Sequence, residues 1–98
     1  MHARTITANI VPGRLEEALQ IFREEIHPMI EKQPGHISTS LFIDRDRNRA
    51  QTVTIWESRA AEQATSEPSD YLSKVLGRLN GFLANRHVAS WEVAAGSG

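Results

Sequence analysis

The stretch PGRLEEALQIFREEIHPMIEKQPG, residues 12–35, organises the chain because a Pro-Gly pair stands at each end of one helical pattern. Apolar side chains recur within it at steps of three and four, which places them on one helix face: Leu15, Leu19, Phe22, Ile26 and either Met29 or Ile30. Pro28 lacks a backbone donor, so we expect it to kink or divide the helix, which ends near Lys32. The stripe predicts a helix that packs against a sheet.

Strand-like and helical runs follow one another on both sides of this helix. In chain order they are a strand, the two arms of a hairpin, a short helix capped by Ser58, a second amphipathic helix after a break at 66–68, and a last strand: residues 3–11, 36–44, 50–57, 59–66, 69–84 and 86–93. Gly81 is a possible end of the second amphipathic helix. The order βαββαβ predicts a ferredoxin-like α+β fold. Its four-stranded antiparallel sheet carries both helices on one face.

The two arms of the hairpin each carry an apolar column and a mixed column of side chains. With residues 45–49 as the loop, we place one column under the helices: Ile37, Leu41, Ile43, Val53 and Ile55. Phe42 and Trp56 would then share the opposite face, where they would expose a large apolar patch to water. Two sheets packed face to face would bury this patch, so we expect a homodimer whose paired sheets form a barrel.

Composition limits the class of protein. The 98 residues predict a single domain over 1–93 and a flexible tail over 94–98. The chain has no cysteine, which excludes disulfides. Its formal net charge is -1, and its basic and acidic residues are mixed along the sequence, whereas a protein that binds nucleic acid or an anionic membrane usually has a cluster of basic residues. It has neither a transmembrane run nor the pattern of a signal peptide, so we expect a cytoplasmic protein.

Several short motifs occur in a characteristic order between residues 3 and 93. They are Arg4 in the first strand, Pro12-Gly13, His27-Pro28, Gln33-Pro34-Gly35, a strand ending in Asp44, and the run Thr54-Ile55-Trp56-Glu57-Ser58. In this order the chain resembles the antibiotic-biosynthesis monooxygenase branch of the dimeric α/β-barrel superfamily. The resemblance implies a dimeric α/β barrel. Members of the superfamily include cofactor-free oxygenases that act on polycyclic phenols, quinol oxygenases and haem-degrading proteins.

The resemblance also makes Trp56 the leading catalytic candidate. In characterised members a tryptophan on the third strand lines the cavity, and Trp56 matches that position. Its indole donor could orient an aromatic substrate; alternatively, it fills the barrel centre at the dimer interface. Haem-degrading members require a helix histidine as the iron ligand, and residues 68–84 contain none. We therefore expect no haem and no other cofactor.

The remaining candidates are weaker, and each has a structural alternative. The four histidines show no metal-ligand spacing, so we expect no metal site. His36 could act as a second catalytic group, a base near neutral pH, or could simply begin its strand at the surface. Arg4 could bind a substrate anion or form a salt bridge at the barrel rim. Thr54, Phe42 and Tyr71 complete the substrate-binding set, with Tyr71 leaning over the barrel mouth or only anchoring its helix.

Two functions from different classes follow from these residues. The leading hypothesis is a cofactor-independent monooxygenase-like enzyme that acts on a small aromatic or quinol-type substrate in a pocket between helices and sheet. The alternative is a small-ligand-binding or structural dimer of the same fold without chemistry, which the scarcity of convergent ionisable residues favours.

Overall fold

The computed structural model describes residues 1–65 and 70–96, with the backbone alone for residues 70–72 and 76. Its strands, β1 to β4, are His2–Ile10, His36–Asp44, Arg49–Trp56 and Leu83–Glu92. Its α-helices, α1 to α4, are Leu15–Ile21, His27–Glu31, Arg59–Gln63 and Asp70–Leu79, and a π-helical turn, Phe22–Ile26, joins the first two. The predicted order βαββαβ is confirmed, whereas the break expected at 66–68 lies outside the described residues.

The four strands form one antiparallel sheet in the order β2-β3-β1-β4. The helices cover one face of this sheet, which confirms the ferredoxin-like α+β prediction. The core lies between them and is built largely from the long helical stretch, with contributions from α4 and the turn after it: Ala18, Ile21, Phe22, Ile26, Ile30, Val75 and Phe82. We call the uncovered side the open face of the sheet.

The helical stretch from Leu15 to Glu31 is continuous, as its apolar stripe predicts, and it changes pitch shortly before Pro28. Proline cannot donate the backbone hydrogen bond that an α-helix needs at that position. Here the chain widens to a π-helical turn over Phe22–Ile26 and then resumes as α2, with Pro28 in its first turn. Phe22 and Ile26, both in the widened turn, stay buried in the core.

The hairpin between β2 and β3 has a shorter loop than the sequence indicates. Asp44 pairs with Arg49, so only residues 45–48 form the loop. Asp44 accepts hydrogen bonds from the backbone and guanidinium of Arg47 and from the guanidinium of Arg49. The hydrogen bond from Arg49 has the largest effect on the pKa of Asp44 and those from Arg47 add to it, so that this pKa lies below its usual value. The carboxylate therefore stays ionised and clamps both ends of the loop.

This loop length overturns the expected assignment of the two faces. Phe42 pairs with Gln51, and cross-strand partners point to the same side of a sheet, so Phe42 cannot share a face with Trp56. Trp56 lies on the helix-covered face, whereas Phe42, Val53 and Ile55 lie on the open face. A register shift of one residue exchanges the faces of a whole strand, and the expected five-residue loop contained that error.

The end of the second long helix also differs from the expected range. We expected a helix within 69–84 with Gly81 as a possible end; α4 ends at Leu79, two residues before Gly81, and β4 already begins at Leu83. Phe82 lies in the connecting turn, where its backbone N–H donates to the carbonyl of Leu79. The Phe82 ring is still buried in the core. The apolar residue at this position therefore indicated burial correctly, but not a helix. Among the described helices, none is long and apolar enough to span a membrane.

Gly35 provides a test of how the start of β2 packs against α3. A Cβ added at Gly35 would lie 2.5 Å from the Cβ of Ala61, and the backbone φ is +82°. We expect Gly35→Ala to lower the free energy of unfolding by about 2–4 kcal/mol, from left-handed strain and overpacking together. Gly13 has the same φ with nothing within 4 Å, so Gly13→Ala is the matched control and should cost only about 1 kcal/mol. Urea unfolding measures both, and equal losses would show that the contact with Ala61 is not restrictive.

Candidate functional site

An apolar cavity of about 70 Å³ lies between the helices and the sheet. Its polar described lining side chains all come from β1 and β3: Arg4, Thr52, Thr54 and Trp56. The other described side chains that line it are aliphatic, apart from Phe22. A cavity of roughly 150 Å³ admits benzene, so this one holds only part of an aromatic ring unless the wall moves. The site is therefore a small apolar chamber with hydroxyl, guanidinium and indole groups on its sheet side.

Trp56 ends β3 and is fully buried, with 0% of its surface exposed. The ring of His36 packs edge-on against it, with ring centroids 5.8 Å apart and an interplanar angle of 83°. The sheet brings them together because His36 pairs with Trp56 ahead of a bulge between His36 and Ser38. This bulge places His36 on the helix-covered face, although it alternates in sequence with residues of the open face.

Hydrogen bonds connect His36 with the cavity wall. Its Nε2 lies 2.8 Å from the Oγ1 of Thr39, and that hydroxyl donates to the Oγ1 of Thr54 at 3.4 Å. Burial lowers the pKa of His36; the charge of Glu31 opposes this effect and that of His27 adds to it. The imidazole is therefore mostly neutral at pH 7, the form in which a histidine accepts a proton.

Arg4 is 3% exposed and is bound to the segment that contains α3. Its guanidinium donates to the Glu62 carboxylate at 3.1 Å, to the Glu62 carbonyl at 2.7 Å, and to the carbonyl and hydroxyl of Thr65 at 3.1 and 2.9 Å. The salt bridge that the sequence offered as the alternative for Arg4 is thus present, and it is buried rather than at a rim. Its four bonds hold α3 against β1 beside the cavity.

The structure brings together most of the residues that the sequence singled out. Trp56, Thr54 and Arg4 line the cavity, and His36 contacts Trp56. Phe42 is 56% exposed on the open face, where we expected it, but the shorter hairpin loop places Trp56 on the helix-covered face, so the expectation that the two share a site is wrong. The side chain of Tyr71 lies outside the described part of the structure, and its expected role is not tested.

Three residues of this site were not predicted from the sequence: Thr39, Glu62 and Thr65. The available signal for Thr39 was a single hydroxyl in an otherwise apolar column of β2. Glu62 is an acidic residue buried to 2% exposure, and nothing local in the sequence marks it for burial. Only the pairing of β1 with α3 shows that Glu62 and Thr65 meet Arg4, some sixty residues away in the chain.

Comparison with protein families identifies the fold family. Residues 1–72 match the family model described as antibiotic biosynthesis monooxygenase. The chain belongs to this family. No curated protein is similar enough to the chain to count as a match.

Solved structures of low sequence identity share the fold of this antibiotic biosynthesis monooxygenase family member. MhuD bound to manganese protoporphyrin IX is 22% identical, with a TM-score of 0.78, over 100% of this chain and 99% of MhuD. SnoaB, a cofactor-independent oxygenase from Streptomyces nogalater, is 18% identical, with a TM-score of 0.75, over 97% and 95% of the two chains. A protein of unknown function from Nitrosomonas europaea is 15% identical, with a TM-score of 0.74, over 98% and 91%.

A porphyrin does not fit the cavity described here. The cavity volume of about 70 Å³ is too small for a porphyrin. The described side chains that line the cavity include no histidine, cysteine, methionine or tyrosine to bind iron. No group of three or more metal-binding side chains occurs among the described residues. The described lining of the cavity therefore does not fit a haem iron.

The buried Arg4–Glu62 pair should be a strong determinant of stability. We expect Arg4→Met to lower the free energy of unfolding by about 3–5 kcal/mol, because it leaves the Glu62 carboxylate buried beside an apolar group. Arg45→Met is the matched control: the Arg45–Glu16 pair is 64% and 76% exposed and should contribute less than about 1 kcal/mol. Thermal and urea unfolding measure both variants. A loss for Arg4→Met as small as that for Arg45→Met would contradict a clamping role.

Proposed function

We propose that the protein is a cofactor-independent, monooxygenase-like enzyme acting on a small aromatic or quinol-type substrate in the cavity between helices and sheet. The observation that carries this proposal is the fully buried Trp56, an indole donor in a chamber of aliphatic side chains, with His36 against its ring. Membership of the antibiotic biosynthesis monooxygenase family supports the reaction class. SnoaB, with the same fold, is a cofactor-independent oxygenase.

In this proposal the protein prepares the substrate for direct reaction with dioxygen. The phenolic O–H gives its proton to a base of the site, and the resulting phenolate supplies the electrons that reduce dioxygen. The apolar wall excludes water, and hydrogen bonds from the sheet side, including those of Trp56 and Thr54, stabilise the anion as it forms. His36 is the base that the geometry favours, because its pKa is lowered and it lies one hydroxyl away from Thr54.

Entry of a ring requires the cavity to widen from its present size. Phe22 and Ile26 line the wall and both belong to the π-helical turn ahead of Pro28. Single π-helical turns within α-helices occur frequently at functional sites. We propose that substrate binding displaces this part of the wall, and that Pro28 sets its position.

A non-catalytic ligand-binding or structural dimer is the second candidate. The observation that favours it is the aliphatic character of the cavity wall, which offers few groups for chemistry. Both candidates share the binding of a small apolar molecule beside Trp56. They differ in whether bound phenols consume oxygen.

The open face of the sheet supports the proposal of a homodimer. Phe42 and Trp91 are 56% and 55% exposed, and the half-buried Val53 and Ile55 lie on the same face. The indole of Trp91 is held in place by a 2.9 Å hydrogen bond from its Nε1 to the hydroxyl of Thr5. A second sheet packed on this surface buries these side chains without affecting the cavity, which opens on the other side of the sheet.

Oxygen uptake with a panel of hydroquinones and phenols tests the enzymatic proposal. We expect turnover by the unaltered protein and a loss of roughly tenfold or more in Trp56→Phe, which removes one donor to the developing anion. Trp91→Phe replaces the chain's other tryptophan, outside the cavity, and is the matched control. Binding of these phenols with no oxygen uptake would favour the ligand-binding candidate; uptake that is unchanged in Trp56→Phe would remove Trp56 from the mechanism.

The proposed dimer can be tested at Phe42. In a two-fold symmetric interface Phe42→Lys places two positive charges in the apolar contact, so we expect the dimer dissociation constant to rise at least about tenfold. Gln20→Lys adds the same charge to an exposed helix position and should leave association unchanged. Analytical ultracentrifugation over a concentration series measures both. If Phe42→Lys sediments like the unaltered protein, the open face is not the interface.

A further inference from the structure

A chain of three side chains joins the outside of the domain to the cavity. His36, half-buried at the start of β2, has its Nε2 2.8 Å from the hydroxyl oxygen of Thr39. Thr39 lies opposite Thr54 in the β2–β3 register, and their hydroxyl oxygens are 3.4 Å apart. Thr54 is 6% exposed and lines the cavity. Each group in the chain can both donate and accept a hydrogen bond.

We propose that His36, Thr39 and Thr54 form a proton relay, in which Thr54 touches the substrate and Thr39 connects it to His36. The relay rests on the proposed function, because it names the path by which the phenolic proton leaves the cavity. Thr39 is then a positioning residue, since it acts only through its two neighbours. His36 need not enter the cavity to serve as the base.

The proton balance of this path is simple. At rest the Thr39 hydroxyl donates to Thr54, so both threonine hydroxyls must first rotate until Thr54 donates to Thr39 and Thr39 donates to the His36 Nε2. The substrate O–H then gives its proton to the Thr54 oxygen, the Thr54 proton moves to the Thr39 oxygen, and the Thr39 proton moves to the lone pair of the His36 Nε2. The products are a phenolate in the cavity and an imidazolium at the start of β2, and both threonines are again neutral. The 3.4 Å separation between the threonines is longer than the usual O–H···O distance of about 2.7–2.8 Å. Hydrogen bonds of a catalytic site commonly tighten when substrate binds.

The surroundings of His36 fit the acceptor end of such a relay. Its ring is held by Trp56 on one side and by Thr39 on another. The titratable groups near it are Glu31 and His27 on α2, which form a 2.8 Å pair with each other. Glu57 follows β3, and its backbone N–H donates to the carbonyl of Gly35, the residue before His36. Glu31 stabilises the imidazolium that the relay produces, while burial keeps the resting ring neutral. The proton thus moves from an apolar chamber to a site nearer solvent and a carboxylate.

A titration of His36 by NMR, without ligand, tests whether the chain is connected. The imidazolium donates to Thr39, and that oxygen is a better acceptor when its own hydroxyl donates to Thr54. We expect Thr39→Val to lower the pKa of His36 by roughly half a unit or more, because the charged form loses its acceptor. Thr54→Val, which acts on His36 through Thr39, should also lower the pKa of His36, by a smaller amount.

Matched variants separate the relay from general changes in packing. Thr39→Ser and Thr54→Ser keep the hydroxyls and should restore the titration of the unaltered protein. Thr52→Val removes the neighbouring hydroxyl on the same face of β3, outside the chain, and should leave the His36 midpoint where it is. A His36 midpoint that is unchanged in both Thr39→Val and Thr54→Val would overturn the relay, whether or not the protein turns over any phenol.

Turnover supplies the second arm of the experiment. If the unaltered protein consumes oxygen with a hydroquinone, kcat/KM should rise with pH as His36 becomes neutral. We expect Thr39→Val to lower kcat by about tenfold or more with little change in KM, and to shift this rising limb, while Thr39→Ser retains both. An absence of turnover in every variant, together with a connected titration, would contradict the proposed function and leave the relay standing as a hydrogen-bonded chain. A normal pH profile in Thr39→Val would overturn the relay.

Discussion

The register between β2 and β3 is the constraint on which the rest of the structure depends. Because Asp44 pairs with Arg49, even-numbered residues of β3 point to the helices and odd-numbered ones to the open face. This single offset brings Trp56 and Thr54 into the cavity and leaves Phe42 outside. Asp44 accepts hydrogen bonds from Arg47 and Arg49 across the loop, so an ionised carboxylate at the hairpin tip supports the register that determines the site at the other end of the strands.

The second constraint is the buried pair of Arg4 and Glu62. Helix α3 has only five residues and would not form by itself, since helices shorter than about 12 residues are marginal in water. Four hydrogen bonds from Arg4 hold it, and the missing side chain at Gly35 lets Ala61 approach the start of β2. This packing fixes α3 beside the end of β3, where Trp56 meets His36. The charged side chain of Arg4 therefore stabilises the wall of the cavity.

Much of the architecture could be predicted from the sequence, because it depends on the local periodicity of apolar residues. The apolar stripe of the 12–35 stretch and the alternation of the strands are enough for the βαββαβ order. The faces of the hairpin could not be predicted in the same way, because they depend on whether Arg49 belongs to the loop or to the strand. The bulge that turns His36 toward Trp56 and the meeting of Arg4 with Glu62 depend on pairing between distant segments, for which a single sequence carries no local signal.

The two faces of the sheet have different roles in this small domain: one lines the cavity and the other carries exposed apolar side chains. A 98-residue chain has a modest core, and a chamber within it makes that core smaller still. Here the chamber lies under the helices with Trp56 and Thr54 at its sheet side, while the large exposed side chains Phe42 and Trp91 lie on the other face. Burial of that second face by association would restore the stability that the chamber removes. The relay is consistent with the same division, because the hydroxyls of Thr39 and Thr54 connect His36 to the cavity on the helix-covered side of the sheet.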